Sequence, residues 1–299
     1  MLIVGLFFSF IFLNGCSNVS KEEGKIDDKK EIYKAVTAGD ILPFFDHWNL
    51  IAGDGSNVGN ASILEHKDFF YTANDEAGDW VVFKSPNAGN THGTSNNIRT
   101  ELAQLKKWSA FTANKLSATL KVMNVSATGD ARVAASYSVV VGQIHSADGH
   151  ENEPLKIFYK KFPGHDKGSV FWHYEINTAG DDNSGRWDYS TAAWGDDFSA
   201  MGKEENTYPA EPLGGIALGE EFSYEIKVDD GIMHLTFKSE GHETKTFTKN
   251  LIKSEYSSKE NIPQQTKNLF FPIGQDGMER ENAYADEGLF FKLGAYNQT

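Results

Sequence analysis

The chain has 299 residues, with 28 Lys and Arg against 42 Asp and Glu, and a formal net charge of −14 at pH 7. That charge excludes a nucleic-acid partner, because phosphate binding needs a basic surface, and it allows a polyanionic ligand only where a groove is locally basic. Twenty-eight Gly and 13% aromatic residues, without long helical patterns, favour an all-β protein with enough chain to bury a core.

The first element is an apolar run, Leu2 to Leu13. It is shorter than the roughly 20 residues a membrane-spanning helix needs, and it suits the core of a signal peptide. It ends in Leu13-Asn14-Gly15-Cys16, which resembles the lipobox of bacterial lipoproteins, where a small residue precedes the cysteine that is lipidated. The chain's only cysteine stands there, although no Lys or Arg precedes the run. Residues 1–16 are therefore expected to be a lipoprotein signal peptide. Cys16 would anchor the protein to the cell envelope, at the outer membrane or cell surface; unmodified, it implies secretion. Residues 17–37 are charged and read as a tether, with room for a short helix around Asp28–Val36. The fold is expected to occupy 38–299. One cysteine permits no disulfide framework.

From Ala38 onward, short β-type runs alternate with Gly, Asn and Asp clusters, the pattern of an antiparallel sandwich. Strands are expected at Phe69–Thr72, Trp80–Lys84, Ile98–Ala103, Leu116–Val125, Arg132–His145, Ile157–Tyr159 and Val170–Asn177. Others are expected at Phe222–Val228, Ile232–Lys238, Glu243–Thr248 and Leu289–Gln298. Asp229-Asp230-Gly231 marks a hairpin. Loops of functional length fall at 85–97, 146–155, 178–212 and 253–285. Trp187, Tyr189, Trp194 and Tyr208 in the third loop read equally as platforms for sugar rings or as anchors packed inward.

Three stretches carry chemistry. Gln143-Ile144-His145 ends the apolar run Val139–Gly142 and puts an amide and an imidazole on one strand face. Arg99-Thr100-Glu101-Leu102 puts a guanidinium and a carboxylate on one face. In Phe290-Phe291-Lys292-Leu293-Gly294-Ala295-Tyr296-Asn297-Gln298, the Lys292, Tyr296 and Gln298 side chains share a face, and Gly294 is expected to leave open space between Lys292 and Tyr296. In order and type these stretches resemble polysaccharide lyase family 7, the alginate lyases. That family carries Arg-(Ser/Thr)-Glu-(Leu/Val)-Arg, Gln-(Ile/Val)-His and Tyr-Phe-Lys-Ala-Gly-x-Tyr-Asn-Gln. The likeness runs from about residue 60 to 299. Ala103 replaces the second Arg of the first motif, so one basic contact is missing or comes from elsewhere; Phe290 and Leu293 replace Tyr and Ala.

The resemblance implies a jelly roll of two antiparallel sheets with a concave substrate groove. It also implies a monomer without cofactor that cleaves alginate or oligo-alginate by β-elimination. Arg99, Gln143, His145 and Tyr296 would be its chemical residues, and Glu101, Lys292, Asn297 and Gln298 would bind substrate, although a structural ion pair suits Glu101 better. The chemistry fits: removing the C5 proton puts a second negative charge on the uronate carboxyl group, which Arg99 and Gln143 could neutralise. His145, ordinarily near 6.5, suits a base, and Tyr296, ordinarily near 10, an acid or, with a lowered pKa, also a base. Ile144 tilts the expected substrate toward guluronate-containing blocks.

Other readings are weaker. A glycosidase sandwich would carry Glu-x-Asp-x-x-Glu on one strand, which does not occur here; Glu151/Glu153 and Asp181/Asp182 read as solvated charge. His145, His150, His165 and His173 lack a metal-ligand spacing, and a structural Ca²⁺ in the 178–198 loop stays open. A non-catalytic polysaccharide-binding lipoprotein needs neither His145 nor Tyr296, and a lyase for another polyuronate such as glucuronan stays open because of Ala103.

Overall fold

Period-two patterning becomes strand wherever one face can be buried, and strands dominate this protein. The computed structural model describes residues 2–5, 36–42, 44–59, 68–93, 95–147, 153–176, 187–255, 279–281 and 288–298. In chain order the strands are β1 (Leu2–Gly5), β2 (Trp48–Ile51), β3 (Asn57–Val58), β4 (Phe70–Asp75), β5 (Gly78–Phe83) and β6 (Arg99–Gln104). Next come β7 (Asn114–Val122), β8 (Ser138–Ser146), β9 (Leu155–Lys160), β10 (Lys167–Ile176), β11 (Trp187–Trp194) and β12 (Ile216–Ala217). The last are β13 (Glu221–Asp229), β14 (Ile232–Ser239), β15 (Lys245–Asn250), β16 (Lys253–Glu255), β17 (Glu279–Glu281) and β18 (Leu289–Gln298).

A seven-stranded sheet has the order β15-β14-β13-β7-β1-β5-β4. A nine-stranded sheet runs β11-β10-β9-β8-β18-β6-β2-β3, with β12 beside β10. The sheets enclose one large core that includes Leu102, Leu120, Ile144, Tyr159, Trp172, Tyr224, Phe237 and Leu293. This is the expected all-β sandwich, a jelly roll. The hairpin β13–β14 closes as expected: Asp229 pairs with Ile232, and Asp230 and Gly231 both take positive φ (48° and 75°), the two-residue turn that matches strand twist.

Several expectations need correction. Arg132 does not begin a strand, because Asp130 takes the Arg132 backbone N–H (2.9 Å) and its guanidinium, and turns occupy the chain until β8 starts at Ser138. Residues 187–194, expected within a loop, pair along β10 as β11. Tyr189 and Trp194 are buried in the main core, and Tyr208 packs on Tyr137 and Phe162, so these three are anchors and not sugar platforms. Leu2–Gly5, within the run expected to form a leader, lies as a strand antiparallel to β5 and β7. Cys16 and most of the 17–37 tether, including nearly all of the helix anticipated there, lie outside the described residues, as do His150, Glu151, Asp181 and Asp182.

Two glycines, Gly142 on β8 and Gly294 on β18, set the strands that carry the motifs. Between Val140 and Gly142 the β8–β9 ladder gains one residue on β8, a bulge. Val139 and Val141 face the core and Val140 the outer surface, yet after the bulge Ile144 faces the core. The extra residue thus shifts the phase and sends Gln143 and His145 to the outer face with Val140. Gly142 is required there because a Cβ would lie 2.3 Å from Tyr224 Oη and 2.6 Å from its Cζ. Tyr224 cannot yield easily: it is buried, and its hydroxyl donates to the Val141 carbonyl (3.0 Å). Gly294 does not leave the open space expected; its missing side chain is where the β6 backbone comes in, with Thr100 O 2.4 Å and Glu101 Cα 2.6 Å from a Cβ.

Gly142→Ala is expected to lower the unfolding free energy by about 1–3 kcal/mol through overpacking, measured by urea denaturation. A change within experimental error would mean that Tyr224 moves aside.

Candidate active site

Three adjacent strands, β6, β18 and β8, bring the three motifs together on the outer face of the nine-stranded sheet. Tyr296 pairs with Arg99, Gly294 with Glu101 and Lys292 with Ala103 on one side of β18. On the other side Lys292 pairs with Gln143, Phe290 with His145 and Tyr296 with Val140. Residues some 200 positions apart are neighbours for this reason.

Glu101 is the electrostatic centre. It is 1% exposed, and its carboxylate accepts a short hydrogen bond from Gln143 Nε2. Its other oxygen lies 3.8 Å from an Arg99 amino nitrogen and 3.7 Å from Lys292 Nζ. An ionised carboxylate only accepts, so the Gln143 amide must turn its nitrogen to Glu101. Two cations around one anion leave a net charge of +1 at a site whose polar groups are nearly all buried. In this cluster Arg99 Nε, Gln143 Oε1 and Glu101 Oε2 are buried without a hydrogen-bond partner among the described residues. Buried unmatched charge is costly, and an anion entering here would relieve it. In a chain of −14 this is the locally basic patch a polyanion requires.

His145 lies two residues along β8 with its ring 5.0 Å from Phe290. Its Nδ1 is 2.6 Å from the Ser146 carbonyl, which can only accept, so Nδ1 carries the proton and Nε2 keeps its lone pair. Burial, reinforced by the Lys292 ammonium, lowers the imidazole pKa to about 4, against the opposing pull of Glu153. Glu153 Oε1 is 3.8 Å from Nε2, and its other oxygen binds Lys156 Nζ at 2.9 Å. Glu153 is therefore part of the site, contrary to its reading as solvated charge.

Tyr296 completes the arrangement. The Arg99 guanidinium lies 4.2 Å from its ring centroid, and its hydroxyl is 3.2 Å from Ser95 Oγ. Asn297, next in sequence, points the other way. It is 5% exposed and its amide donates to Pro86 O (3.1 Å) and Asn87 Oδ1 (2.8 Å), so its side chain anchors a loop. Gln298 is half-buried, with its amide 3.3 Å from the Asn297 carbonyl. Glu101 faces three neighbours, with Oε1 taken by Gln143 and Oε2 held only at ion-pair distance from Arg99 and Lys292. Lys292 is close enough to the site to receive an anion, although it is 5% exposed.

Sequence reasoning missed the wall beyond β8. Phe198 covers Phe158, Phe171 and His173, with ring centroids 4.3–6.0 Å apart, and Tyr296 packs against the same cluster. Segments 130–137 and 195–208 are tied together by Gly202 N–H to Ala131 O (2.8 Å) and Ala131 N–H to Glu205 O (2.9 Å). Buried Lys160 donates to Ala134 O (2.8 Å) and Ala200 O (3.0 Å), one in each segment. Burial lowers its pKa to about 7. A lysine just past the expected strand Ile157–Tyr159 gives no sign of this in the sequence.

Among the described residues no group of His, Cys, Asp or Glu is arranged to hold a metal ion.

A family model described as alginate lyase matches residues 42–299. The fold is similar to the crystal structure of the exolytic PL7 alginate lyase AlyA5 from Zobellia galactanivorans, at 62% identity and a TM-score of 0.80, covering 88% of this chain and 84% of that one. An alginate lyase of Klebsiella pneumoniae is 27% identical over 291 residues, covering 84% of this chain and 81% of its own. The crystal structure of the alginate lyase from Klebsiella pneumoniae has a TM-score of 0.60 at 24% identity, with 85% and 89% covered.

In an NMR titration the His145 ring is expected to stay neutral from pH 8 to well below its ordinary value of about 6.5. Lys292→Met should raise its midpoint, because a neighbouring cation has been removed. A wild-type midpoint near the ordinary value would contradict this environment.

Proposed function

Since the chain belongs to polysaccharide lyase family 7, the alginate lyases, we propose that its reaction runs on the face formed by β6, β18 and β8, with Arg99, Gln143, His145 and Tyr296 in the chemical roles. Alginate is a chain of 1,4-linked mannuronate and guluronate. The C5–H bond breaks, its electron pair becomes the C4–C5 double bond, and the C4–O4 bond breaks as O4 leaves and takes a proton. The product has an unsaturated non-reducing end.

The observation that carries these roles is the net +1 of Arg99, Lys292 and Glu101 beside a neutral imidazole and a phenol. The uronate carboxylate enters that charge, with Arg99 as its planar partner and the second N–H of Gln143 as a neutral donor. Charge building on the carboxyl group is then stabilised where donors already stand. Glu101 holds Arg99, Gln143 and Lys292 in place. The bare Nε2 of His145 accepts the C5 proton of guluronate, and the Tyr296 phenol gives its proton to the departing O4. For mannuronate, whose H5 lies on the other side relative to O4, the Tyr296 phenolate takes the proton and passes it to O4. With its pKa near 4, His145 is available as base over the whole neutral range.

The 62% identical lyase of Zobellia galactanivorans is exolytic, and the wall of Phe198 and Lys160 beside Tyr296 supports the same action here. A groove stopped beyond β8 accommodates a chain end and few sugars past the scissile bond. Ile144 leans the preference toward guluronate-containing substrate.

Activity is read from the ultraviolet absorbance of the new double bond on block-enriched alginates. Arg99→Ala is expected to lower kcat/KM roughly 10²–10³-fold. Tyr296→Phe should abolish turnover of polymannuronate, and His145→Ala should hurt polyguluronate more than polymannuronate. Equal losses in His145→Ala on both substrates would leave the strand catalytic but end this division of roles. Chromatography over time should yield mono- or disaccharides from the outset with slow viscosity loss; early long oligomers would refute exolytic action.

A further inference from the structure

We propose that Ser95 is a positioning residue for Tyr296: it accepts a hydrogen bond from the phenol and donates one to the phenolate, so that one tyrosine can serve on both sides of a proton transfer. The inference rests on the role given to Tyr296 above.

Ser95 lies in the Gly/Asn-rich loop before β6, at a place no motif marks. Its Oγ has three polar atoms within reach: Tyr296 Oη at 3.2 Å, the Asn97 carbonyl at 3.2 Å and the Asn97 N–H at 3.3 Å. A serine hydroxyl has one proton to give and two lone pairs. With that proton on the Asn97 carbonyl, Ser95 can only accept from Tyr296, and the phenol proton points at Ser95. Rotation about Cβ–Oγ turns the proton toward Oη instead. Ser95 then donates to a negatively charged oxygen, the stronger kind of hydrogen bond. Ser95 itself neither gains nor loses a proton. The proton from C5 goes to the phenolate oxygen and from there to O4, while the serine follows by rotation.

The loop is built to keep this distance. Asn297 binds Pro86 O and Asn87 Oδ1 from the inner face of β18, and the Asn297 N–H binds Ile98 O at 3.0 Å. Ser85 Oγ donates to the same Ile98 carbonyl at 3.0 Å, and His92 Nδ1 is 3.1 Å from Gly55 O. Tyr296 and Asn297, adjacent on one strand, thus grip one loop from opposite faces of the sheet. Around the phenol ring, Arg99 stacks from β6, itself paired with Glu101, while Val140, Ala134, Ala135 and Met201 belong to the apolar cluster it joins. Ser95 is the one described side chain hydrogen-bonded to Oη.

The test is the pH dependence of kcat and KM on alginate for Ser95→Ala and Ser95→Thr, with Tyr296→Phe in parallel. Losing a donor to a charged oxygen should lower kcat of Ser95→Ala roughly 10- to 100-fold, with KM changed little. The tyrosine-dependent limb of the kcat profile should move to higher pH, because the phenolate has lost its donor. Ser95→Thr keeps the hydroxyl and should restore most of kcat and the wild-type limb. An unmoved limb in Ser95→Ala, or a loss confined to KM, would overturn the proposal. If Ser95→Ala unfolds, Ser95→Thr decides: a displaced limb despite the retained hydroxyl refutes it, and a wild-type limb sustains it. Turnover of polymannuronate surviving in Tyr296→Phe would instead refute the role of the tyrosine.

Discussion

One buried carboxylate organises the face formed by β6, β18 and β8. Glu101 lies among Arg99, Gln143 and Lys292, and each of those three would be costly to bury without it. Removing Glu101 alone would leave two cations desolvated beside each other, so its contribution cannot be separated from theirs. The incomplete neutralisation is the useful part. A site with equal charges would be stable and indifferent; one with a surplus of +1 is held in shape by its anion and still attracts another. The rest of the sandwich provides the platform, since the three groups meet only because β18 lies between β6 and β8.

Much of this was legible in the chain. Alternation in Phe222–Val228 and the Asp230-Gly231 turn are local signals, and local signals survive folding. The three motifs were legible because each packs its functional groups into a few residues of one strand. What escaped needs knowledge of the partner across a ladder or a sheet. The bulge at Val141-Gly142 is invisible in a run of small apolar residues, yet it decides which way Gln143 points. Asn297 looked like its neighbours in the motif, but a strand alternates and only the fold says which side is wet. Glu153 looked like loop charge because nothing in its surroundings names His145 as the neighbour. Tyr189 and Trp194 admit a sugar-platform reading beside the inward one because nothing in 178–212 announces the β10 ladder that buries them.

The two edges of the site differ in kind. Toward β9 and β10 the wall is apolar and interlocked, with Phe198 over Phe158, Phe171 and His173 and Lys160 tying both segments beneath. The Lys160 amine has its pKa lowered to about 7, so folding disfavours its charged form. Between that value and its ordinary one near 10.5 the unfolded chain holds the extra proton, and this group's contribution to stability improves as pH rises. Toward the start of β6 the contact is a polar loop held by single hydrogen bonds. The first edge is rigid packing; the second holds the Tyr296 hydroxyl through one hydrogen bond to Ser95.

The position of β18 has a kinetic side. It follows every other described strand in the chain, yet its ladders join β6 and β8, which lie roughly 150 to 200 residues earlier. Closing such loops costs entropy before any contact repays it, so this insertion is expected late in folding, with the facing edges of β6 and β8 unpaired until then. Those edges are the most adhesive surfaces of the half-formed sheet. Arg99 and Gln143 can be in position long before the phenol and the ammonium arrive between them. During refolding, secondary structure should therefore return ahead of enzymatic turnover, and the lag between the two would time the docking of a single strand.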